Sequence, residues 1–203
     1  MEKEILDFIE SSFQLLGWGG VVVTMGLESA GIPIPSELIM PLSGWMLIKE
    51  QGLGLNYIFL AALYGTLGNI WGSLLAYWIG LKGGRSLIQK YGRYVLLSTK
   101  DLERGEVWFK KYGEVAIFVS RLTPGVRTFI SFPAGMVRMN LTKFLIYSFL
   151  GAYPWCLGLT YGGYILGSHW ERIAEVMRPV APVILLALLV GFGYYLYHRL
   201  KTA

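Results

Sequence analysis

Four ionisable side chains lie inside hydrophobic stretches of this sequence: Glu28 and Glu37 within residues 18–48, and Arg121 and Arg127 within residues 112–139. A charge at the centre of a membrane helix costs about 2.5–3.5 kcal/mol on insertion scales. Four such charges left unpaired are prohibitive for a small membrane protein, so either the two acids meet the two bases or a polar cavity hydrates them. The arginines sit on either side of Pro124 and Gly125, and from there two planar forks can grip one phosphate. N–H groups freed beside Gly125 and Val126 can add donors to the same anion. A carboxylate in an apolar, partly wet cavity can exchange protons near neutral pH, whereas arginine stays charged. Glu28 and Glu37 are therefore the candidates for proton coupling. The competing reading is a structural Glu–Arg lattice that only locks two segments together. Function is preferred, because ionisable groups retained inside a membrane default to it.

These residues need elements to hold them, and composition says where those elements lie. The chain has 203 residues, of which 54% are hydrophobic and 15% charged, against about 45–50% and about 25% for a soluble domain. That balance excludes a disordered chain and argues against a soluble globular one. Three uncharged stretches, 51–81, 144–170 and 179–198, reach the roughly 20 residues that a bilayer crossing needs. Aromatics or cations flank each, and Pro179 and Pro182 suit the first turn of the last helix.

Residues 18–48 and 112–139 do not fit a simple span. Pro33, Pro35 and Pro41 interrupt the first, and Pro124 and Pro133 the second. The arms 18–32 and 36–48 come to roughly 20 Å each as helices, short of the roughly 30 Å hydrocarbon core. Both stretches read as re-entrant hairpins, turning at Pro33 and Pro35 and at Pro124 and Gly125. A shift of 91 residues superposes Pro33 on Pro124 and Gly44 on Gly135. The expectation is an all-α polytopic membrane protein with two inverted repeats. Hairpin 18–48 with transmembrane helix 51–81 makes one repeat, and hairpin 112–139 with transmembrane helix 144–170 the other. Helix 179–198 is an extra C-terminal transmembrane helix.

Charge sets the orientation. Residues 82–111 hold eight basic groups and three acids, which reads as a basic cytoplasmic loop on anionic headgroups rather than a nucleic-acid patch. With that loop inside, 12 Lys and Arg lie on the inner face and four on the outer, a positive-inside pattern. The C-terminus is then cytoplasmic and the N-terminus external. Glu2, Glu4, Asp7 and Glu10 rule out a secretory n-region. Ile5, Phe8, Ile9, Phe13 and Leu16 recur at helical spacing, so residues 1–17 are expected as an amphipathic interfacial helix. Gly68, Gly72, Ala76 and Gly80, with Gly158, Gly162, Gly163 and Gly167, form small-residue ridges. Intrachain packing is favoured for them over a homo-oligomer. Asn69 is either a site polar group or an interhelical hydrogen bond.

Other chemistries are set aside. Cys156 is the sole cysteine, which removes disulfides and multi-thiolate metal sites. The two histidines, His169 and His198, stand apart near membrane edges, so no metal is expected. No dinucleotide or P-loop glycine spacing occurs, and no cofactor is expected. Ser120 beside Arg121 hints at a phosphatase, but no histidine nucleophile lies near it.

The motifs Glu28-Ser-Ala-Gly-Ile-Pro33-Ile-Pro35-Ser-Glu37, Pro41-Leu-Ser-Gly44, Ser120-Arg121-Leu-Thr-Pro124-Gly-Val-Arg127-Thr and Pro133-Ala-Gly135 occur in this order around a basic segment. Across roughly residues 15–170 the sequence resembles the DedA family of bacterial membrane proteins, also described as the SNARE-associated or VTT-domain superfamily. Glu28, Glu37, Arg121 and Arg127 match that family's membrane acids and arginines. Its members often place Pro-Gly before the second acid, where this sequence has Ser36. The resemblance implies a lipid translocase of the cell membrane, not an enzyme. The cargo it implies is undecaprenyl phosphate for envelope synthesis, with proton-gradient dependence, or alternatively phosphatidylethanolamine moved by a translocase or scramblase. A lipid-phosphate enzyme and a membrane scaffold are the further alternatives.

Overall fold

The computed structural model describes residues 2–32, 34–91, 99–123 and 126–167. Every regular element among them is helical. Helix α1 (Glu2–Leu16) and α2 (Trp18–Ser29) are separated by Gly17 at φ 53°, a left-handed conformation that glycine adopts without steric penalty. After α2 the chain turns through Ala30 and Gly31, the latter at φ 110°. Pro35 then caps α3 (Ser36–Gly44), which runs on into a single π-helical turn, Trp45–Lys49. Next comes α4 (Tyr57–Tyr91), 35 residues long. Helix α5 (Thr99–Arg121) leads to two short helices, α6 (Val126–Phe129) and α7 (Ser131–Met136). Helix α8 (Leu141–Leu166) follows, its first turn capped by the Asn140 side chain accepting from Lys143 N.

Several boundaries depart from the sequence expectation. The first long helix begins at Tyr57 rather than 51, because Gly52 and Gly54 sit in a turn ahead of it. It then continues to Tyr91, and α5 already starts at Thr99, so the described parts of the basic segment 82–111 are helical rather than loop. Lys, Arg, Leu and Gln are good helix formers and no proline interrupts them. Arg121 thus ends a 23-residue helix instead of a short arm beginning at 112. The apolar stripe of α1 is divided: Ile9 and Phe13 are buried in a core with Val21, Met25, Ile39 and Met40, while Phe8 and Leu16 stay exposed. Among the described residues one helix, over Tyr57–Gly83, is long and apolar enough to cross a membrane by length and composition. Helix α8 is also long, at 26 residues, and Lys143 near its start is its one charged side chain. The expected helix 179–198 lies outside the described residues.

Packing interleaves the elements. Helix α2 lies on α4 and α5 on α8, while α3 crosses to α8 and α7 to α4. Each crossing runs backbone to backbone through glycine. A Cβ on Gly72 would meet Gly26 O at 2.0 Å, one on Gly163 would meet Pro41 O at 2.0 Å, and one on Gly135 would meet Tyr77 O at 2.0 Å. Such contacts admit no side chain. They bring α2 and α7 against α4 and α3 against α8.

Candidate functional site

Glu28 occupies the last full turn of α2 and is buried. Arg127, on α6, is buried against it. The Arg127 guanidinium donates to Glu28 Oε1 through Nη2 at 2.7 Å and Nε at 3.2 Å, and Thr128 Oγ1 reaches the same oxygen at 3.4 Å. The other carboxylate oxygen, Oε2, accepts from Ser29 Oγ at 2.8 Å. Ser29 Oγ in turn accepts from Asn69 Nδ2 of α4 at 2.7 Å. A face of Trp155, on α8, covers Arg127, with Cζ 5.8 Å from the ring centroid. This is an ion pair taken out of solvent, held by donors on three helices and covered by an aromatic face from a fourth, a geometry in which removing either partner strands a charge.

Arg121 is fully buried, at 0% exposure. Its Nη1 donates to the main-chain carbonyl of Arg127 at 2.9 Å, and its Nη2 to Ser131 Oγ and Ser148 Oγ at 3.0 Å each. Its Cζ stands 5.8 Å from the Phe144 ring centroid. Among the described residues no carboxylate pairs with it, and its Nε has no hydrogen-bond partner. The two arginines therefore do not present parallel forks to one vacant space. One holds a carboxylate, and the other holds the backbone of the first.

Glu37, in the first turn of α3, is half-buried. Its Oε2 accepts from Ser36 Oγ at 3.2 Å, and Ser36 Oγ accepts from Trp155 Nε1 at 3.3 Å. Its charge lies within electrostatic reach of Arg127. Pro35 sets the start of α3, its carbonyl accepting from Leu38 N at 3.0 Å and Ile39 N at 3.3 Å. Pro33, Pro124 and Gly125, expected as turn residues, lie outside the described residues.

The structure thus joins Glu28 to Arg127 directly, links Arg121 through main chain, and leaves Glu37 one hydroxyl and one indole away. Sequence reasoning missed Ser29, Ser36, Thr128, Ser131, Ser148 and Trp155. The signal for two of them was present, since each membrane acid is flanked by a serine, Glu28-Ser29 and Ser36-Glu37. Asn69, read from sequence as a site group or a helix–helix hydrogen bond, is an interhelical hydrogen bond that ends on the site. Among the described residues no cluster of His, Cys, Asp and Glu could hold a metal ion. Ser120 Oγ is buried and donates to Ile117 O at 2.7 Å, so it is not turned toward the arginines.

Comparison with known proteins agrees with this picture of a membrane protein. A model of the VTT domain matches residues 34–165. Undecaprenyl phosphate transporter A of Bacillus subtilis is 32% identical over 202 residues, covering 99% of this chain and 96% of the relative. The uncharacterized membrane protein YkoX of the same organism is 32% identical over 196 residues, covering 97% and 85%. An alkaline phosphatase-like protein of Lactococcus lactis is 33% identical over 195 residues, covering 94% and 88%. No solved structure matches. The paired proline-turn motifs, the family match over most of the chain and the near-full-length relatives converge, and the chain belongs to the VTT-domain family of membrane proteins.

Proposed function

We propose that this protein carries a lipid phosphate, undecaprenyl phosphate foremost, between the leaflets of a bacterial cell membrane for envelope synthesis. The observation that carries the reading is the buried Glu28–Arg127 pair, with Nη2 2.7 Å from Oε1. It is an anion site occupied by the protein's own carboxylate. A phosphate monoester brings the same sign of charge and more acceptor oxygens, so it can replace Glu28 on the guanidinium. Glu28 released from Arg127 then takes a proton, and the buried charge stays balanced as the lipid enters. The prenyl tail remains in the bilayer, so only the headgroup has to pass through protein. Release on the other side returns Arg127 to Glu28 and frees the proton.

Two inverted repeats suit such a cycle. Supporting them, α2 and α5 each pack on the long helix that follows in their own half, while α3 and α7 cross to the other half's long helix. Gly44 and Gly135, 91 positions apart, mark the two crossings, their added Cβ meeting Thr160 O at 2.2 Å and Tyr77 O at 2.0 Å. In this reading α2–α3 and α5–α7 are the re-entrant hairpins, the basic segment faces the cytoplasm, and the cargo alternates between the two openings.

The relatives' names favour this cargo, two of the curated matches being undecaprenyl phosphate transporters. The phosphatase-like name of another raises a hydrolytic reading, and the buried, self-satisfied Ser120 supplies it with no nucleophile. An aminophospholipid translocator is the second transport reading, favoured by one observation: Glu37, half-exposed, is a carboxylate that an ammonium can reach. Liposomes containing the purified protein and labelled lipids separate the two. Movement of undecaprenyl phosphate, lost in Arg127→Lys, supports the proposal. Movement of phosphatidylethanolamine alone, or undiminished phosphate transport in Arg127→Lys, overturns it.

A further inference from the structure

The two membrane acids are built alike. Each is bonded by a neighbouring serine, and each serine receives an N–H from a long helix: Asn69 Nδ2 to Ser29 at 2.7 Å, and Trp155 Nε1 to Ser36 at 3.3 Å. The donors differ in one respect. A carboxamide carries an acceptor oxygen as well as two N–H groups, whereas an indole only donates. Asn69 is 1% exposed, and its Oδ1 has no hydrogen-bond partner. A buried carbonyl oxygen left without a donor is unfavourable and calls for a role.

We infer that Glu28 rather than Glu37 carries the proton, and that Asn69 and Ser29 form the reversible chain that accommodates it. The inference rests on the lipid-phosphate reading above and narrows it. In the state shown, hydrogen bonds run Asn69 Nδ2–H to Ser29 Oγ and Ser29 Oγ–H to Glu28 Oε2, every hydrogen pointing at an anionic carboxylate. When a proton binds Glu28 Oε2, that O–H must donate to Ser29 Oγ. The serine hydrogen then needs another acceptor, and a half-turn of the Asn69 amide supplies Oδ1. The amide thereby exchanges donor for acceptor toward Ser29, and no side chain needs to leave its place. At Glu37 the reversal is blocked, since Ser36 is 0% exposed and the indole cannot accept its hydrogen. Ser36 therefore keeps its hydrogen on Glu37 Oε2.

The charged and titratable groups facing Glu28 fit this division. Arg127 on α6 pairs with it, Arg121 at the end of α5 and Cys156 on α8 act on it at longer range, and Glu37 on α3 acts on the same Arg127. None of these accepts the serine hydrogen. Asn69 and Ser29 are thus positioning residues, acting through Glu28 rather than on the lipid.

Infrared difference spectroscopy between acid and alkaline pH, on the full-length protein in lipid nanodiscs, tests the inference. The expected difference spectrum includes a protonated-carboxyl band that belongs to Glu28, accompanied by a change in a side-chain amide band. Glu28→Gln removes both, and Asn69→Leu removes the amide change. Ser29→Ala, which deletes a bond worth more to the anion than to the acid, shifts the carboxyl midpoint by about one pH unit. Ser36→Ala leaves that midpoint in place. The inference is overturned if the carboxyl band survives Glu28→Gln and vanishes in Glu37→Gln. Persistence of the amide change in Asn69→Leu, or an unmoved midpoint in Ser29→Ala, overturns it equally. Labelled undecaprenyl phosphate followed in proteoliposomes keeps the two ideas apart: the infrared pattern without lipid movement rejects only the cargo, and lipid movement with an unaltered pH profile in Asn69→Leu rejects only the relay.

Discussion

Arg121 Nη1 donates to the main-chain carbonyl of Arg127 at 2.9 Å, while the Arg127 side chain turns away to Glu28. Two residues of identical chemistry therefore have different work. Arg121 ties together the end of α5, the backbone of α6, Ser131 of α7 and Ser148 of α8. Arg127 holds the Glu28 carboxylate, which in the proposed cycle gives way to the lipid phosphate.

That division predicts different failures for the same substitution. Arg121→Lys cannot reach a carbonyl and two hydroxyls at once, and a hydrogen bond from a charged group contributes about 1.5–3 kcal/mol. The variant should unfold at distinctly lower temperature in detergent, by an amount corresponding to at least one such bond. Arg127→Lys should keep most of its thermal stability and lose most of its transport, because a point charge replaces the fork. Equal melting temperatures for the two variants would contradict the assignment.

Glu28→Gln keeps the shape of the side chain and one acceptor oxygen while removing the competing charge. Binding of a soluble phosphate monoester to the purified variant should tighten by about tenfold or more, since each 1.4 kcal/mol of removed competition is one decade. Net transport should fall and lose its dependence on pH. A scaffold role predicts the reverse: a less stable variant that transports normally.

Glycine packing gives a paired test of the helix crossings. Gly163→Ala puts a Cβ 2.0 Å from Pro41 O on α3, where neither backbone can yield, so folded yield and thermal stability should drop sharply. Gly158→Ala, on the same helix, meets nothing within 4 Å. It should be neutral or stabilise by about 0.5–1 kcal/mol through helix propensity. Both are read by thermal unfolding of the detergent-solubilised protein.

Near the start of α8, the Lys143 ammonium donates to Glu114, a bond that raises the lysine pKa above its ordinary value. A raised folded-state pKa means that the stabilisation is complete below the usual lysine range and is lost as pH climbs through the higher folded value. Lys143 is largely exposed, so the effect is small and screened by salt. Lys143→Gln should flatten the alkaline arm of the stability–pH curve at low ionic strength and leave it unchanged in molar salt.

The all-helical class, the breaks between α2 and α3 and after α5, and the need to compensate charges set inside apolar stretches were legible in the amino-acid order. Those signals are local, because proline removes a donor, glycine permits a left-handed turn, and a charge inside an apolar run violates the pattern around it. Element lengths were less legible. Helix propensity carried α4 on to Tyr91, and tertiary packing buried Ile9 and Phe13 of α1 in one core with Ile39 and Met40.

Partnerships were decided only by the fold. Glu28 meets Arg127 across 99 positions of sequence, and Asn69 meets Ser29 across 40. Composition could say that two acids and two guanidiniums must be compensated, but it could not say which pairs with which, nor that serines and a backbone carbonyl would satisfy Arg121 without a carboxylate. Hydrogen bonds depend on distances of a few tenths of an ångström, and those are fixed by how glycine ridges let α2, α3, α4, α7 and α8 approach.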